Sequence, residues 1–199
     1  MGVLAPHRYG VPVRLGIDFG TSNTVAVLLS GDGGVRPLLF DGSPSLPSAV
    51  CRQPDGALLV GRDAVHTARR YPEAFEPHPK RLVDERKALL GTAELPVAVL
   101  IGAVLRRVGE EAGRVAGGEP SGVVLTHPVT WAAPRRGVLL AAAGVAGLDR
   151  PELVPEPVAA AHHFVRRAGA VAVGSTSTPR SSACSAGPAP AGTRRPGRG

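Results

Sequence analysis

Aromatic residues and cysteines are scarce in this 199-residue sequence, and each shortage excludes a class of protein. Aromatic residues make up 4% of the chain, and none interleaves with the basic residues near the C-terminus, so no surface that binds nucleic acid by base stacking is expected. The two cysteines, Cys51 and Cys184, form no CxxC pair and have no histidine at zinc-ligand spacing. We therefore expect two free thiols in a reducing cytoplasm rather than a disulfide scaffold or a zinc finger.

Long apolar runs are also lacking. The longest, at residues 95–105, contains Pro96 and ends before Arg106, well short of the ~20 residues that a membrane-spanning helix needs. The first sixteen residues contain no uninterrupted apolar stretch after a basic start. Neither a membrane segment nor a secretory signal is therefore expected.

Charge and composition divide the chain into three parts. The net charge is +7, but four of the arginines lie in residues 175–199, which contain no acidic residue, so the rest carries an ordinary surface charge. These last residues are rich in Ser, Thr, Pro, Ala, Gly and Arg, a composition typical of a disordered tail. We predict a flexible N-terminus over residues 1–12, a folded lobe over 13–174 and a disordered tail over 175–199.

The folded part changes from strands to helices along its length. Alternating apolar residues predict strands at residues 13–19, 24–29, 35–40, 49–52 and 57–60, separated by glycine turns. Helical spacing then predicts helices at residues 62–71, 83–90, 95–115, 134–146 and 158–167, with short strands at 123–125 and 152–154. This order predicts an α/β fold with a mixed sheet and flanking helices.

The main chemical signal is the sequence GIDFGTSNT at residues 16–24. A glycine turn at Gly20 lets backbone amides approach anionic oxygens closely, and Thr21, Ser22 and Asn23 add side-chain donors. Asp18 precedes the turn and is suited to holding Mg²⁺ through water. A plain hairpin with a polar turn explains the same residues, whereas an aspartic protease needs its Asp-Thr-Gly motif in another order and in two copies.

The stretch at residues 16–24 resembles the first phosphate loop of the seventy-kilodalton heat-shock (DnaK-type) chaperone family, and later segments resemble further parts of that family in the order in which the family has them. The resemblance extends over residues 14–172. Its segments are PSAV at residues 47–50, VGRDA at 60–64, KRL at 80–82, LTHP at 125–128, AGVAGL at 143–148 and VPEPVAAA at 154–161.

The resemblance implies the first lobe of a ribonuclease-H-like, actin-like ATPase domain that binds ATP and Mg²⁺. It implies that Lys80 reaches the terminal phosphate and the attacking water, that Glu156 lies near the metal and the water, and that Thr21 shares in catalysis. It also implies that Pro128 and Arg136 relay the nucleotide state to a peptide-binding domain. In the intact parent, unfolded clients and co-chaperones are the implied partners.

Each implied role has a plainer alternative. Lys80 alone reads as a solvated surface lysine, and Glu156 as a charge at a helix N-terminus. Pro128 and Arg136 suit a strand end and an exposed first helical turn. His127, His162 and His163 have no partner spacing and read as ordinary histidines.

The sequence departs from the family pattern at several places. Pro155, Val158 and His127 replace the usual residues, which predicts a divergent relative, and the second phosphate loop and adenosine lobe are absent from the sequence. We therefore expect a truncated domain with weak ATP affinity, since tight binding requires enclosure on several sides, and we interpret residues 175–199 as an out-of-frame tail. A sugar or acetate kinase of the same superfold and a non-enzymatic actin-like sensor or scaffold are the alternative functions.

Overall fold

A computed structural model describes residues 13–157 of the chain. Its eleven strands are β1 Val13–Phe19, β2 Asn23–Ser30, β3 Val35–Pro37, β4 Leu46–Pro47, β5 Val50–Arg52, β6 Leu58–Val60, β7 Phe75–Glu76, β8 Lys87–Leu90, β9 Ala93–Pro96, β10 Gly122–His127 and β11 Glu152–Pro155. Its α-helices are α1 Gly61–Thr67, α2 Val97–Ala116 and α3 Ala133–Ala146, and two 3₁₀ helices cover Pro72–Ala74 and Pro79–Leu82.

A mixed sheet forms the centre of the described residues. Its strand order is β11-β10-β1-β2-β3, and β4 pairs with β2. The β1–β2 and β2–β3 pairs are antiparallel, whereas β1–β10 and β10–β11 are parallel. The predicted mixed α/β sheet is confirmed.

One face of this sheet forms the core because the strand residues alternate. In β1, Leu15, Ile17 and Phe19 are buried while Arg14 and Asp18 are exposed. Helix α2 packs on β1 and β2, and α3 packs on α2. The six apolar positions predicted to share one face of the long helix are all buried: Val97, Leu100, Ile101, Val104, Leu105 and Val108.

Two smaller sheets flank the central one. Strands β6, β5 and β7 form a three-stranded antiparallel sheet, and β8 pairs with β9 in a hairpin. Cys51 is fully buried in β5 as a free cysteine, as predicted for this residue. Burial, with a smaller contribution from the charge of Glu73, raises the pKa of its thiol.

The helix predicted at residues 83–90 is wrong. The chain forms the 3₁₀ helix Pro79–Leu82 and then strand β8, in which Ala88 and Leu90 are buried while Leu89 is 71% exposed. The left-handed backbone at Arg86, with φ of 59°, interrupts a continuous helix. The short apolar run in β8 is compatible with both the helical and the strand periodicity. Its pairing with β9 determines that it forms a strand.

Other predicted boundaries shift by a few residues. Helix α1 ends at Thr67 instead of continuing to residue 71. Leu95 lies in β9, so α2 begins only after Pro96. The third strand is shorter than predicted, ending at Pro37, although the Leu38 amide still donates to the Ala26 carbonyl.

Several predictions fall outside the described residues. These are the flexible segment 1–12, the helix at 158–167, the tail at 175–199, Cys184, His162 and His163. Within residues 13–157, no helix is long and apolar enough to cross a membrane.

The close packing of α2 on α3 leads to a first testable prediction. A Cβ on Gly102 would lie 2.7 Å from Val145 Cγ1 and 2.9 Å from the Ala142 carbonyl oxygen. We expect Gly102→Ala to lower the free energy of unfolding by about 1–3 kcal/mol, because the two helices must separate. Chemical denaturation measures this change.

The matched control is Gly137→Ala in α3, where a Cβ meets no atom within 4 Å. This variant is expected to stabilise the protein by about 1 kcal/mol through helix propensity. Equal stability changes in the two variants would contradict the proposed steric origin.

A second prediction concerns the buried carboxylate of Glu111 in α2. The hydrogen bond from Arg114 lowers the pKa of Glu111 below its ordinary 4.5, burial opposes this shift, and Arg107 adds to it. The ion pairs therefore stabilise the fold fully above pH 4.5, and their contribution is lost as the pH falls through the folded-state pKa. We expect Glu111→Gln to lower the free energy of unfolding by about 1 kcal/mol at neutral pH.

The stability difference should disappear in strongly acidic solution, where both states of the wild-type protein carry a protonated Glu111. Unfolding curves measured across the acidic range check this dependence. Glu110→Gln, at an exposed neighbour without an ion pair among the described residues, is the control and should have little effect. An effect of Glu111→Gln that does not change with pH would refute the electrostatic explanation.

Candidate functional site

The loop at residues 20–23 reverses the chain between β1 and β2. The Gly20 amide donates a hydrogen bond to the Asn23 carbonyl oxygen at 3.1 Å. A Cβ at position 20 would lie 2.3 Å from that same oxygen, so the turn has no room for any other residue. The predicted tight glycine turn is present.

The carbonyl groups of this loop are engaged by polar groups from other segments of the chain. The Ser48 hydroxyl donates to the Gly20 carbonyl oxygen at 2.9 Å, and the Ser48 amide donates to that of Ser22 at 2.9 Å. The Thr21 carbonyl oxygen lies 3.2 Å from His78 Nδ1. Because a hydroxyl has one proton, the 2.9 Å bond between Ser48 and Thr24 is donated by Thr24.

Two amides of the loop, those of Thr21 and Ser22, are left available. Within residues 13–157, neither the Thr21 nor the Ser22 amide donates to any protein acceptor. The side chains of Ser22 and Asn23 are exposed, and Thr21 is half-buried. Unpaired amides in a turn, next to hydroxyl and carboxamide side chains, are suited to bind an anion.

Asp18 lies on the sheet face opposite to the core, one residue before the end of β1. Its carboxylate is exposed and accepts a hydrogen bond from the Thr126 hydroxyl at 2.8 Å. Thr126 lies on the neighbouring parallel strand β10. This bond orients the carboxylate, and within residues 13–157 no hydrogen bond engages its other oxygen, which can accept one from water.

Lys80 and Glu156 meet although 76 residues separate them in sequence. Lys80 lies in the 3₁₀ helix Pro79–Leu82, and Glu156 directly follows β11. Lys80 Nζ is 3.1 Å from Glu156 Oε1, and the two side chains are 10% and 40% exposed. The ammonium also lies over the ring of Trp131, 5.4 Å from the ring centroid.

The predicted site residues other than Arg136 lie at one edge of the central sheet or contact a residue there. Strands β1, β10 and β11 are adjacent and parallel, so their carboxyl ends, after Phe19, His127 and Pro155, lie together. His78, two residues before Lys80, brings the 3₁₀ helix to the loop. Among the described residues, however, no hydrogen bond or ion pair joins Asp18 directly to Lys80 or Glu156.

Pro128 and Arg136 differ in their connection to this edge. Pro128 follows β10, and its carbonyl oxygen accepts from the Trp131 amide at 3.0 Å. The Arg136 side chain is exposed on the first turn of α3 and has no ion pair within residues 13–157. The neighbouring Arg135 instead donates two hydrogen bonds to Asp84, at 2.8 and 2.7 Å, and these raise the pKa of Arg135.

Four side chains of this edge were not assigned a role from the sequence. Ser48 and Thr126 lie in segments that carried the family resemblance, so the motif was recognised but its hydrogen bonds were not. His78 has no sequence signal beyond its closeness to Lys80. Trp131 is the sole tryptophan of the chain, but its position in the sequence does not indicate a contact with Lys80.

The carboxylates of this edge suit a hydrated ion more than a protein-enclosed one. The structure places no cluster of three or more His, Cys, Asp or Glu residues that could hold a metal within residues 13–157. Asp18 and Glu156 are oxygen ligands of the kind that Mg²⁺ uses when phosphate and water complete its shell. The donor set therefore fits a hydrated Mg²⁺ ion.

Comparison with known proteins finds chaperones among the relatives of this chain. A DnaK chaperone of Methanothermobacter thermautotrophicus is 34% identical over 151 residues, which are 73% of this chain and 25% of that protein. A DnaK chaperone of Thermotoga neapolitana is 28% identical over 149 residues, and an HscA homolog chaperone of Azotobacter vinelandii is 36% identical over 184. These matches cover 74% and 78% of this chain, and 25% and 28% of the relatives. No family model matches the chain.

The chain therefore belongs to the seventy-kilodalton heat-shock protein family of DnaK-type chaperones, as the sequence motifs predicted. It spans about a quarter of the length of the curated relatives that it matches.

A third prediction tests how the loop is held. Ser48→Ala removes the donor to the Gly20 carbonyl oxygen and leaves the Thr24 hydroxyl without its acceptor. Because this site is buried, we expect the free energy of unfolding to fall by about 1–3 kcal/mol. The amide signals of residues 20–23 should also shift in NMR spectra.

Ser121→Ala provides the control, because the exposed Ser121 hydroxyl likewise donates to a backbone carbonyl oxygen, that of Val13, at 3.0 Å. It should change stability little, since water replaces the lost partner. If both variants behaved alike, the special importance of the buried Ser48 hydroxyl would be disproved.

Proposed function

We propose that this chain binds Mg-ATP at the carboxyl edge of β1, β10 and β11, as the first lobe of an actin-like ATPase domain. The observation that carries the proposal is the meeting of Lys80 and Glu156 beside the loop at residues 20–23. Family membership supports the nucleotide as ligand. It also favours a chaperone ATPase over the sugar-kinase and scaffold alternatives.

The loop supplies the phosphate contacts in this proposal. The amides of Thr21 and Ser22 donate to the terminal phosphate oxygens, and the side chains of Thr21, Ser22 and Asn23 add further donors. The loop carbonyl groups bond to Ser48 and His78, so the amides need little rearrangement when a phosphate arrives. Gly20 allows the tight turn that presents these amides.

Lys80 and Glu156 act on the reacting phosphate. The Lys80 ammonium stabilises the negative charge that develops on the terminal phosphoryl group during transfer to water. Glu156, which is more exposed than Lys80, accepts a proton from the attacking water or a hydrogen bond from hydrated Mg²⁺. Thr21 orients the same phosphate.

Asp18 is the residue that we assign to the metal. Its carboxylate, oriented by Thr126, would hold water molecules of the Mg²⁺ shell. When bound, Mg²⁺ neutralises charge on the phosphate oxygens.

The wider chaperone role belongs to the same proposal. We assign to Pro128 and Arg136 the relay of nucleotide state to a peptide-binding domain, with unfolded clients and co-chaperones as partners in the cytoplasm. Pro128 has the stronger structural support, because it follows β10 at the site edge and bonds to the turn that carries Trp131. The support for Arg136 is its position in the family motif.

A titration with Mg-ATP tests the proposed site. We expect weak binding in the millimolar range, reported by NMR shifts of the Thr21 and Ser22 amides, because one loop encloses only part of the ligand. Lys80→Met should weaken binding about tenfold, since a charge-assisted contact to phosphate is lost. Mg²⁺ and ATP added separately serve as reference titrations.

Lys87→Met is the matched control, because Lys87 pairs with Glu94 in the exposed β8–β9 hairpin. It should bind Mg-ATP as the wild type does. If millimolar Mg-ATP left the amides of residues 20–23 unshifted, the nucleotide proposal would be wrong. A micromolar dissociation constant would instead contradict the expectation of a partial site.

A further inference from the structure

Trp131 provides the second contact of the Lys80 ammonium. Its side chain is 7% exposed, and Lys80 Nζ lies 5.4 Å from its ring centroid, while Glu156 contacts the same nitrogen at 3.1 Å. The lysine side chain is only 10% exposed. Its charged end is thus held between a carboxylate and an aromatic face.

The ring is positioned without help from the lysine. The turn after β10 is closed by the bond from the Trp131 amide to the Pro128 carbonyl oxygen at 3.0 Å, and the side chain belongs to the main apolar core. Its location is therefore determined by β10 and by core packing. The lysine is the flexible member of the pair.

Glu156 alone is a weak means of holding that lysine. Its side chain is 40% exposed, and ion pairs with a solvated partner contribute little because water screens them and long side chains lose entropy. An aromatic face attracts an ammonium through its quadrupole, and the attraction grows as water is excluded. The buried ring thus provides the water-excluded side of the contact.

We propose that Trp131 is a positioning residue that holds the Lys80 ammonium at the carboxyl edge of the sheet. The aromatic face restricts the rotamers of Lys80, so the charge is in place before a phosphate binds. The importance of this placement for a nucleotide rests on the proposed function. The placement itself is tested without a nucleotide.

Acetylation of the full-length chain measures the placement directly, because Lys80 and Lys87 are its only lysines. Mass spectrometry after limited treatment with acetic anhydride gives the ratio of modification at Lys80 to that at Lys87, whose side chain is 59% exposed. We expect a low ratio in the wild type. Trp131→Leu should raise it about fivefold, and Trp131→Phe, which keeps an aromatic face, should restore most of the protection.

Fluorescence provides a second measurement that leaves the ring intact. Trp131 is the sole tryptophan, so the indole emission reports on the surroundings of this one ring, of which the Lys80 ammonium is a part. Lys80→Met should change the emission, whereas Lys87→Met should not. Unchanged emission in Lys80→Met, or an unchanged acetylation ratio in a folded Trp131→Leu variant, would overturn the proposal.

A double-mutant cycle connects the contact to the ligand. We expect Trp131→Leu to weaken Mg-ATP binding severalfold in the wild-type background and to have no further effect in Lys80→Met. Equal losses in both backgrounds would show a general structural effect and overturn the positioning role. If the wild type bound no Mg-ATP while the acetylation and emission results held, the proposed function would fail and the lysine contact would stand.

Discussion

The different pairing on the two sides of β1 is the constraint on which the rest of the structure depends. Antiparallel pairing with β2 requires a tight reversal directly after Phe19, whereas parallel pairing with β10 places a second carboxyl end at the same edge. Strand β11 adds a third. Residues that are distant in sequence therefore emerge together, which is why parallel strands so often support ligand sites at this edge.

A buried hydroxyl extends this constraint to the loop. Ser48 follows β4, which pairs with the start of β2, so its side chain reaches beneath the reversal. Ser48 donates hydrogen bonds to two of the loop carbonyl oxygens, and His78 contacts a third. Lys80 thus lies only two residues after a side chain that contacts the loop.

The sequence predicted those parts of the fold in which local pattern and tertiary packing agree. The burial of Ile17 and Leu105 follows from a clear period, and the turn at Gly20 from its glycine. The prediction of a helix at residues 83–90 is wrong because a short apolar run fits both the helical and the strand periodicity. Only the pairing with β9 distinguishes the two structures. The contacts of Trp131 with Lys80 and of His78 with Thr21 could not be predicted, because they join segments that are far apart in the sequence. Separation in sequence does not tell how close two segments lie in space.

The parallel register of β11 also restricts how this region can vary in length. Thr126 pairs with Val154 and His127 with Pro155, so a shift of one residue would turn every side chain of β11 to the other face and carry Glu156 away from Lys80. We therefore expect insertions and deletions to be tolerated in the exposed connection at residues 149–150, after the left-handed Gly147, but not within the strand. The freedom of this edge to change in length therefore lies in its connections.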